Sequence, residues 1–177
     1  MANTPHKDEQ DLYSIDLLMQ QTRQLAARYR QTTGNTLPIT GEIARFDVAK
    51  ALNLTLSDDL TLGYDAIGNA DRDGLKVLIK GRVIFEDSHS SPRLGQLKPD
   101  GRWERVVMVL FDDDYLPVEM YEATADAISA ALEAKAESKN KKRGAISVAQ
   151  FKIISALVWT EQEGEVADVW DNHNDVE

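Results

Sequence analysis

The chain has 177 residues, a formal net charge of −10 and no cysteine. The absence of cysteine excludes disulfides, thiolate catalysis and cysteine-ligated zinc. The net charge excludes the broad basic surface of a dedicated nucleic-acid binder, although a local basic patch is still compatible with it. We expect a cytoplasmic protein, because no apolar run is long enough to span a membrane and the first ten residues do not form a secretory signal.

The acidic residues are concentrated at the C-terminus. Residues 161–177 carry seven Asp and Glu residues and no Lys or Arg, whereas residues 12–160 carry 20 acids and 19 bases. We therefore predict a disordered N-terminus over 1–10, a single domain over 11–160 and an acidic tail over 161–177.

The first half of the domain is predicted to contain two helices and a hairpin. Apolar residues at helical spacing predict a helix over 11–32, ended by Gly34, and a second helix over 40–52 with Thr40 as its cap. A connector is predicted over 54–59. Apolar runs over 62–67 and 75–84 flank a turn-rich piece and predict a β-hairpin.

The second half is predicted to contain two strands and two helices. A long loop is expected over 86–102, with a helical turn at 93–97. The continuous apolar run over 104–111 predicts a strand buried on both faces. A fourth strand is predicted over 116–121, near an edge of the sheet because it contains Pro117.

Two helices complete the predicted domain. Thr124 is predicted to cap a helix that runs to residue 137, and Ser147 with Gln150 forms a capping box for a last helix that reaches Val158. Residues 138–144 are predicted as a basic, flexible link between these two helices.

Two charged residues stand out in the predicted hairpin. Asp65 ends the first strand, and Lys80 lies inside the second. Because side chains alternate between the faces of a strand, Leu78, Lys80 and Arg82 share one side. A lysine in an otherwise apolar strand is costly unless it reaches solvent, pairs or does chemistry. Asp65 is the expected partner of Lys80.

The hairpin resembles the active-site hairpin of the PD-(D/E)XK, or restriction-endonuclease-like, nucleases. The resemblance rests on Gly63-Tyr64-Asp65-Ala66 followed by Leu78-Ile79-Lys80-Gly81-Arg82, and it is similar to an uncharacterised bacterial domain family of that superfamily. Thr40-Gly41-Glu42 and the segment 144–151 extend it over about residues 40–159. It implies an α/β (α+β) fold with a restriction-endonuclease-like core, in which a mixed sheet of about four strands is flanked by helices on both faces.

The resemblance also implies an activity, a Mg²⁺- or Mn²⁺-dependent DNA endonuclease in restriction or defence. Asp65, Lys80 and Glu42 would be the catalytic residues. Asp65, Glu42 and the backbone carbonyl of Ile79 would hold the metal, a donor set that suits Mg²⁺. The candidate phosphate contacts are Arg82, Arg93 and Lys98.

One residue departs from the family pattern. Leu78 occupies the position where the family has Glu or Gln, and its side chain can neither ligate a metal nor hydrogen-bond a water. The alternative is therefore a catalytically inactive relative that binds nucleic acid or protein. Structural explanations also stay open, since Asp65 and Lys80 can form a half-buried ion pair and Glu42 can favour its helix N-terminus.

Several further residues have a structural explanation that we favour or weigh equally. His89 is expected to be a solvated loop residue and Asp112 to Asp114 to be turn residues. Basic residues of the predicted loop and link are candidates for phosphate contact or are simply solvated: Arg93, Lys98, Arg102, Lys139, Lys141, Lys142 and Arg143. Asp171 and His173 fall in the predicted tail.

The substrate is predicted to be DNA, although the sequence leaves RNA open, and the partners are expected to include a second copy or a recognition subunit. The first predicted helix is a candidate dimer surface. Burial of its apolar stripe in its own core is the simpler expectation.

Overall fold

The computed structural model describes residues 14–87, 92–97, 101–136 and 145–166. In these ranges the chain is an α+β protein with a seven-strand mixed, strongly curled half-barrel sheet and four helices. Helices α1 (Ile15–Thr33) and α2 (Thr40–Ala51) precede the sheet in the chain. Helices α3 (Ala125–Ala136) and α4 (Val148–Ile153) lie between its strands in sequence. No described helix is long and apolar enough to cross a membrane.

The strands lie across the sheet in the same order as in the chain. They are β1 (Leu54–Leu56), β2 (Ala66–Gly68), β3 (Lys76–Val83), β4 (Arg105–Phe111), β5 (Pro117–Thr124), β6 (Ala156–Thr160) and β7 (Gly164–Glu165). Strands β3 and β4 are parallel, and every other neighbouring pair is antiparallel. A parallel pair needs a crossover connection, which residues 84–104 provide.

The prediction of about four strands was wrong because three strands were missed. Strands β1 and β7 are only three and two residues long, too short to show an alternating pattern. Strand β6 falls where the last helix was predicted to continue through Leu157 and Val158. The apolar residues there also fit a helical period, but α4 ends at Ile153 and the chain enters the sheet.

The prediction that places the Pro117 strand near an edge was also wrong. Strand β5 pairs with β4 on one side and with β6 on the other. Pro117 is its first residue, and the register shifts between Leu110 and Phe111 opposite this end. A proline at the first position of a strand removes no essential ladder bond, so an interior strand tolerates it there.

Most of the predicted helix ends are confirmed. Gly34 ends α1 with a φ of 73°, and the hydroxyls of Thr124 and Ser147 accept hydrogen bonds from the first turns of α3 and α4. Thr40 is the first residue of α2 and not its cap, a position that Ile39 takes without a side-chain hydrogen bond. The helical turn predicted at 93–97 is not formed, and Arg93 makes an isolated β-bridge with Ser147.

The sheet is covered by helices on both faces, as predicted. Val107, Val109 and Phe111 of β4 pack with α1 and α2 in one buried cluster. The alternate residues Val106 and Met108 pack with α3, α4 and the 84–104 connection in a second cluster. This alternation confirms that β4 is buried on both sides.

Helix α2 packs closely against β3 at Gly81. A Cβ atom at Gly81 would lie 2.7 Å from the Cβ of Ala44 and 3.1 Å from Cε2 of Phe111. The absence of a side chain therefore allows the helix to pack directly on the strand. This contact fixes where the polar residues of α2 lie relative to β3.

We predict that Gly81→Ala lowers the free energy of unfolding by about 1–3 kcal/mol, because the added methyl group overpacks the α2–β3 contact. Urea denaturation measures the change. Gly41→Ala in the same helix is the matched control, since nothing lies within 4 Å of its Cβ position. Its stability should stay the same or rise. Equal denaturation midpoints for the Gly81 variant and the wild type would contradict the close approach.

Helix α1 keeps much of its apolar stripe at the surface. Ile15 and Leu25 are about 60% exposed, and Leu18 and Tyr29 are also exposed, whereas Ala26 and Ala27 are buried. The expectation that this stripe is buried in the domain's own core is therefore wrong for its larger side chains. The dimer surface predicted on this helix stays a prediction.

Candidate functional site

The predicted hairpin is confirmed, but Asp65, which was predicted to end its first strand, directly precedes β2. Strand β2 begins at Ala66, later than the predicted residue 62, because residues 60–62 form a 3₁₀ turn. Ala66 pairs with Val77 of β3, and the N–H of Asp65 donates to the carbonyl oxygen of Val77 over 2.8 Å. Asp65 therefore lies where the two strands separate.

The carboxylate of Asp65 is held by β3 and by α2. Its Oδ2 accepts a hydrogen bond from the N–H of Ile79 over 2.7 Å, and its Oδ1 lies 3.5 Å from Nε of Arg45. On the β3 side, β2 pairs with Lys76 and Val77, and this pairing stops before Ile79. The N–H of Ile79 therefore needs another acceptor, and the Asp65 carboxylate supplies it.

The predicted Asp65–Lys80 ion pair is absent. Lys80 forms no hydrogen bond and no ion pair with any residue that the structure describes, Asp65 included. Asp65 still acts on Lys80 through space, because it raises the pKa of the lysine against the effect of burial.

The backbone of Ile79 supports its predicted position as an oxygen donor. In a strand the N–H and the C=O of one residue point to the same side. Since the N–H of Ile79 points to the Asp65 carboxylate, its carbonyl oxygen also points to the side of β2. The two oxygens predicted on the hairpin as metal ligands therefore lie at one edge of β3.

Arg45 of α2 was missed by sequence reasoning, and it lies between the two predicted carboxylate ligands. Its Nη1 is 3.3 Å from Glu42 Oε2, its Nε is 3.5 Å from Asp65 Oδ1, and its Nη2 donates to the carbonyl oxygen of Ser57 over 2.9 Å. Glu42 and Arg45 are three residues apart and share one face of the helix. That spacing was the one signal available in the sequence.

The residues of this site do not fit a divalent metal ion as they are arranged. No group of three or more His, Asp or Glu side chains in the described part of the chain is placed to hold a metal. The guanidinium of Arg45 already supplies a positive charge to both carboxylates. Leu78 is half-buried, packs against the second core cluster and offers no oxygen.

Lys80 is half-buried, and its environment lowers its pKa. Burial is the largest cause, Asp65 acts in the opposite direction, and the neighbouring charge of Arg82 lowers the pKa further. Burial also lowers the pKa of Arg82. Neither positive charge forms an ion pair with the described residues, and Arg82 donates to the carbonyl oxygens of Gly81 and Arg93.

We predict that Lys80→Met stabilises the fold at neutral pH by about 0.5–1 kcal/mol, a modest figure because solvent screens a half-buried charge. A lysine whose folded pKa is lowered costs stability while both states are protonated. As the pH rises from the pKa of Lys80 in the folded protein to its higher pKa in the unfolded chain, the folded protein loses the buried charge and this cost disappears. The gain should therefore shrink at alkaline pH. Thermal unfolding across pH tests this, with the exposed Lys76→Met as control, and a variant less stable than the wild type at pH 7 would contradict it.

Lys80 belongs to a row of basic side chains on one face of the sheet. Lys76, Lys80 and Arg82 are alternate residues of β3 and therefore lie on the same face. Arg82 donates through Nε to the carbonyl oxygen of Arg93, and the Cβ position of Gly63, close to Asp65 in sequence, lies 3.9 Å from Cβ of Arg102. We call Lys76, Lys80, Arg82, Arg93 and Arg102 the basic stripe.

The basic stripe lacks acidic partners. Within the described residues, none of its members forms an ion pair with Asp or Glu. The basic side chains that do form ion pairs lie elsewhere: Arg23, Arg30, Arg45, Lys50, Arg72, Arg105 and Lys152. Among the other Lys and Arg side chains that the structure describes, only Arg28 forms no ion pair. The side chain of Lys135 lies outside the described residues.

A separate cleft of about 610 Å³ lies on the opposite face of the sheet. Arg72 and Arg105 enter it, and both pair with Glu122, at 2.8 Å and 3.4 Å. Arg72 also pairs with Glu165 of β7 over 2.7 Å. These ion pairs connect the β2–β3 turn to β5 and β7, and they accompany the curling of the sheet. Because the charged groups in the cleft pair with one another, they do not indicate a ligand site.

The remaining candidates are turn residues or lie outside the described residues. Oδ1 of Asp112 accepts hydrogen bonds from the N–H groups of Asp114 and Leu116, which confirms the turn. Part of the predicted tail, Gly164–Glu165, forms β7. Outside the described residues lie Lys98, His89, Lys139, Lys141, Lys142, Arg143, Asp171 and His173, and also residues 1–10 and 167–177.

No family model matches the chain, and no curated protein matches it significantly. The resemblance to the restriction-endonuclease-like nucleases therefore depends only on the sequence of the hairpin, of Thr40-Gly41-Glu42 and of the segment 144–151.

Proposed function

We propose that this chain is a nucleic-acid-binding domain with a restriction-endonuclease-like core and without a formed metal site. The fold supports the core, because α2 with Glu42 precedes a hairpin that carries Asp65 and Lys80, and β4 follows parallel to β3 after a crossover. The described part of that crossover contains no helix, although such a core usually has one between these strands.

The basic stripe is the observation that carries this proposal. The protein has a net charge of −10, yet five of its six described Lys and Arg side chains without an ion pair belong to the stripe, and Arg28 on α1 is the sixth. Along β3 the stripe extends from Lys76 to Arg82, about 20 Å at the rise of an extended strand. Duplex DNA carries one negative charge per ~1.7 Å of its axis, so this length faces several phosphates. Contacts of this kind fix position on a nucleic acid without reading its sequence.

The site beside the stripe supports binding better than cleavage. The guanidinium of Arg45 lies beside both Asp65 and Glu42, and Leu78 provides no polar group at the position where the family has Glu or Gln. Lys80 is positively charged, half-buried and without an acidic partner in the described residues, so a phosphate oxygen would be its first counter-ion. Anion binding would raise its pKa again.

A Mg²⁺- or Mn²⁺-dependent DNA endonuclease is the second candidate function. The observation that favours it is the convergence of the Asp65 carboxylate and the Ile79 carbonyl at one edge of β3, with Lys80 next in the strand. This arrangement matches the order of groups that the resemblance implies.

Two measurements on the wild-type protein test the choice. Fluorescence anisotropy with a labelled 20-base-pair duplex and with single-stranded DNA and RNA of the same length, in EDTA, should show binding at 50 mM salt. Plasmid and single-stranded DNA incubated with Mg²⁺ and with Mn²⁺ should stay intact. Absence of binding to all three would overturn the binding proposal.

Metal-dependent cleavage that disappears in Lys80→Ala would establish the endonuclease and place its site between β2 and β3. Cleavage that persists in Lys80→Ala would indicate a contaminating nuclease. Circular dichroism of the variant provides the control for folding.

A further inference from the structure

We propose that Arg45 is an internal cation that takes the place of a divalent metal ion between Glu42 and Asp65, so that removing its charge converts the pair into a metal site. The inference depends on the geometry of the site and not on the proposed nucleic-acid binding. Its test contains no nucleic acid, so either proposal can fail without the other.

The three nitrogens of the guanidinium each face a different oxygen. Nη1 faces Glu42 Oε2, Nε faces Asp65 Oδ1, and Nη2 donates to the carbonyl oxygen of Ser57. The side chains of Arg45 and Asp65 are only 15% and 18% exposed. A charge pair withdrawn from water to this degree needs its partner, since either charge alone would be poorly compensated.

The contact between Arg45 and Asp65 is electrostatic and not a good hydrogen bond. The distance of 3.5 Å is longer than an ordinary N–H···O bond, and Nε is a buried nitrogen without any hydrogen-bond partner. A smaller cation with several oxygen ligands would satisfy Asp65 better. Arg45 therefore provides the positive charge that Asp65 needs, but its guanidinium is not placed to form a good hydrogen bond with the carboxylate.

A metal ion and Arg45 exclude one another here. Mg²⁺ binds carboxylate oxygens at about 2.0–2.1 Å, so an ion on Asp65 Oδ1 would lie against the guanidinium. Two positive charges at such a separation repel strongly in a half-buried site. Binding of the ion would also require Arg45 to release the Ser57 carbonyl.

Without the guanidinium, the surroundings offer only oxygen donors. The carboxylates of Glu42 and Asp65 and the freed carbonyl of Ser57 border the vacated position, and the carbonyl of Ile79 points to the same side of β3 as its N–H, which donates to Asp65. Oxygen-only sets are those that Mg²⁺ and Mn²⁺ prefer. The site therefore differs from a metal centre by one residue on α2, in addition to Leu78.

The test is Mn²⁺ binding to Arg45→Met and to the wild type, followed by electron paramagnetic resonance of the free ion. We expect Arg45→Met to bind one Mn²⁺ at least about tenfold more tightly than the wild type does, a factor that corresponds to ~1.4 kcal/mol. Arg28→Met is the control for the loss of one positive charge. It lies on α1, forms no ion pair with the described residues and should behave as wild type.

Asp65→Asn added to Arg45→Met should abolish the gain, because it keeps an acceptor for the Ile79 N–H and removes the charge. Arg45→Gln, which keeps a donor for the Ser57 carbonyl, is the second variant if Arg45→Met does not fold. Mn²⁺ should also raise the melting temperature of the folded variant more than that of the wild type. Wild-type binding as tight as the variant's, no gain in a folded variant, or a gain that survives Asp65→Asn would overturn the inference.

Discussion

Replacing Arg93 and Arg102 together by alanine is expected to weaken binding to duplex DNA by about 60-fold at 0.1 M salt. Each phosphate neutralised by Lys or Arg contributes a slope of about −0.9 to the dependence of log affinity on log salt, and two lost contacts give this factor. Both side chains are exposed and have no acidic partner among the described residues. Their removal should therefore leave the fold intact.

The matched control is Arg28→Ala with Lys50→Ala, which changes the net charge by the same amount on helices α1 and α2. Lys50 forms an exposed ion pair with Asp16, which contributes little to stability, and its Nζ lies 5.7 Å from the centre of the Phe46 ring. Anisotropy titrations of both double variants separate a local stripe from overall charge. Equal losses of affinity in the two double variants would contradict the proposal that the basic stripe is the binding surface.

Arg23→Ala is expected to lower the free energy of unfolding by about 3–5 kcal/mol, the usual cost of breaking a buried ion pair from one side. Arg23 of α1 pairs with both oxygens of Asp47 on α2, and its Nη1 also donates to the carbonyl oxygen of Tyr115 over 2.6 Å. Among the residues that the structure describes, Asp47 is the one charged residue that is buried. The arginine therefore connects both N-terminal helices to the β4–β5 turn.

Urea denaturation followed by circular dichroism measures this loss, with Arg28→Ala on the same helix as control. The control should differ from the wild type by less than about 0.5 kcal/mol, as surface substitutions usually do. Arg23→Asn with Asp47→Asn should recover part of the loss, because no unpaired charge then stays buried. A loss below about 1 kcal/mol for Arg23→Ala would contradict the importance of this contact.

The sequence predicted the parts of the fold that depend on local patterns. The hairpin of β2 and β3, the doubly buried β4, the end of α1 and the starts of α3 and α4 follow from turn residues, continuous apolar runs and capping hydroxyls. Strands β1, β6 and β7 were missed, because short strands gain their stability from neighbours that are distant in sequence. The interior position of β5 was missed for the same reason, since β6 was not predicted to pair with it.

The candidate site was predicted in position but not in its contacts. The period of β3 placed Lys80 and Arg82 on one face, and the hairpin placed Asp65 at the edge of β3. Period and spacing do not show which cation a carboxylate selects when several lie within reach. Asp65 pairs with Arg45 from α2 and with the backbone of β3 because Gly81 lets the helix approach.

This pairing has a consequence for the chemistry of the site. The two carboxylates that the resemblance assigns to metal binding share one internal cation, Arg45, whereas Arg82 and Arg93, assigned to phosphate contact, form no ion pair with the described residues. Under the proposed function, such a domain would hold a nucleic acid and leave its phosphodiester bonds intact. Arg45 and Leu78 are the two residues that depart from the metal site implied by the resemblance.

The salt dependence of duplex binding in EDTA tests the central claim most directly. For the wild type, log affinity should fall linearly with log salt, and the slope should become shallower by about 1.8 in the variant with both Arg93→Ala and Arg102→Ala. A binding affinity that is independent of salt, or a slope that is the same in both proteins, would show that the basic stripe does not contact phosphates.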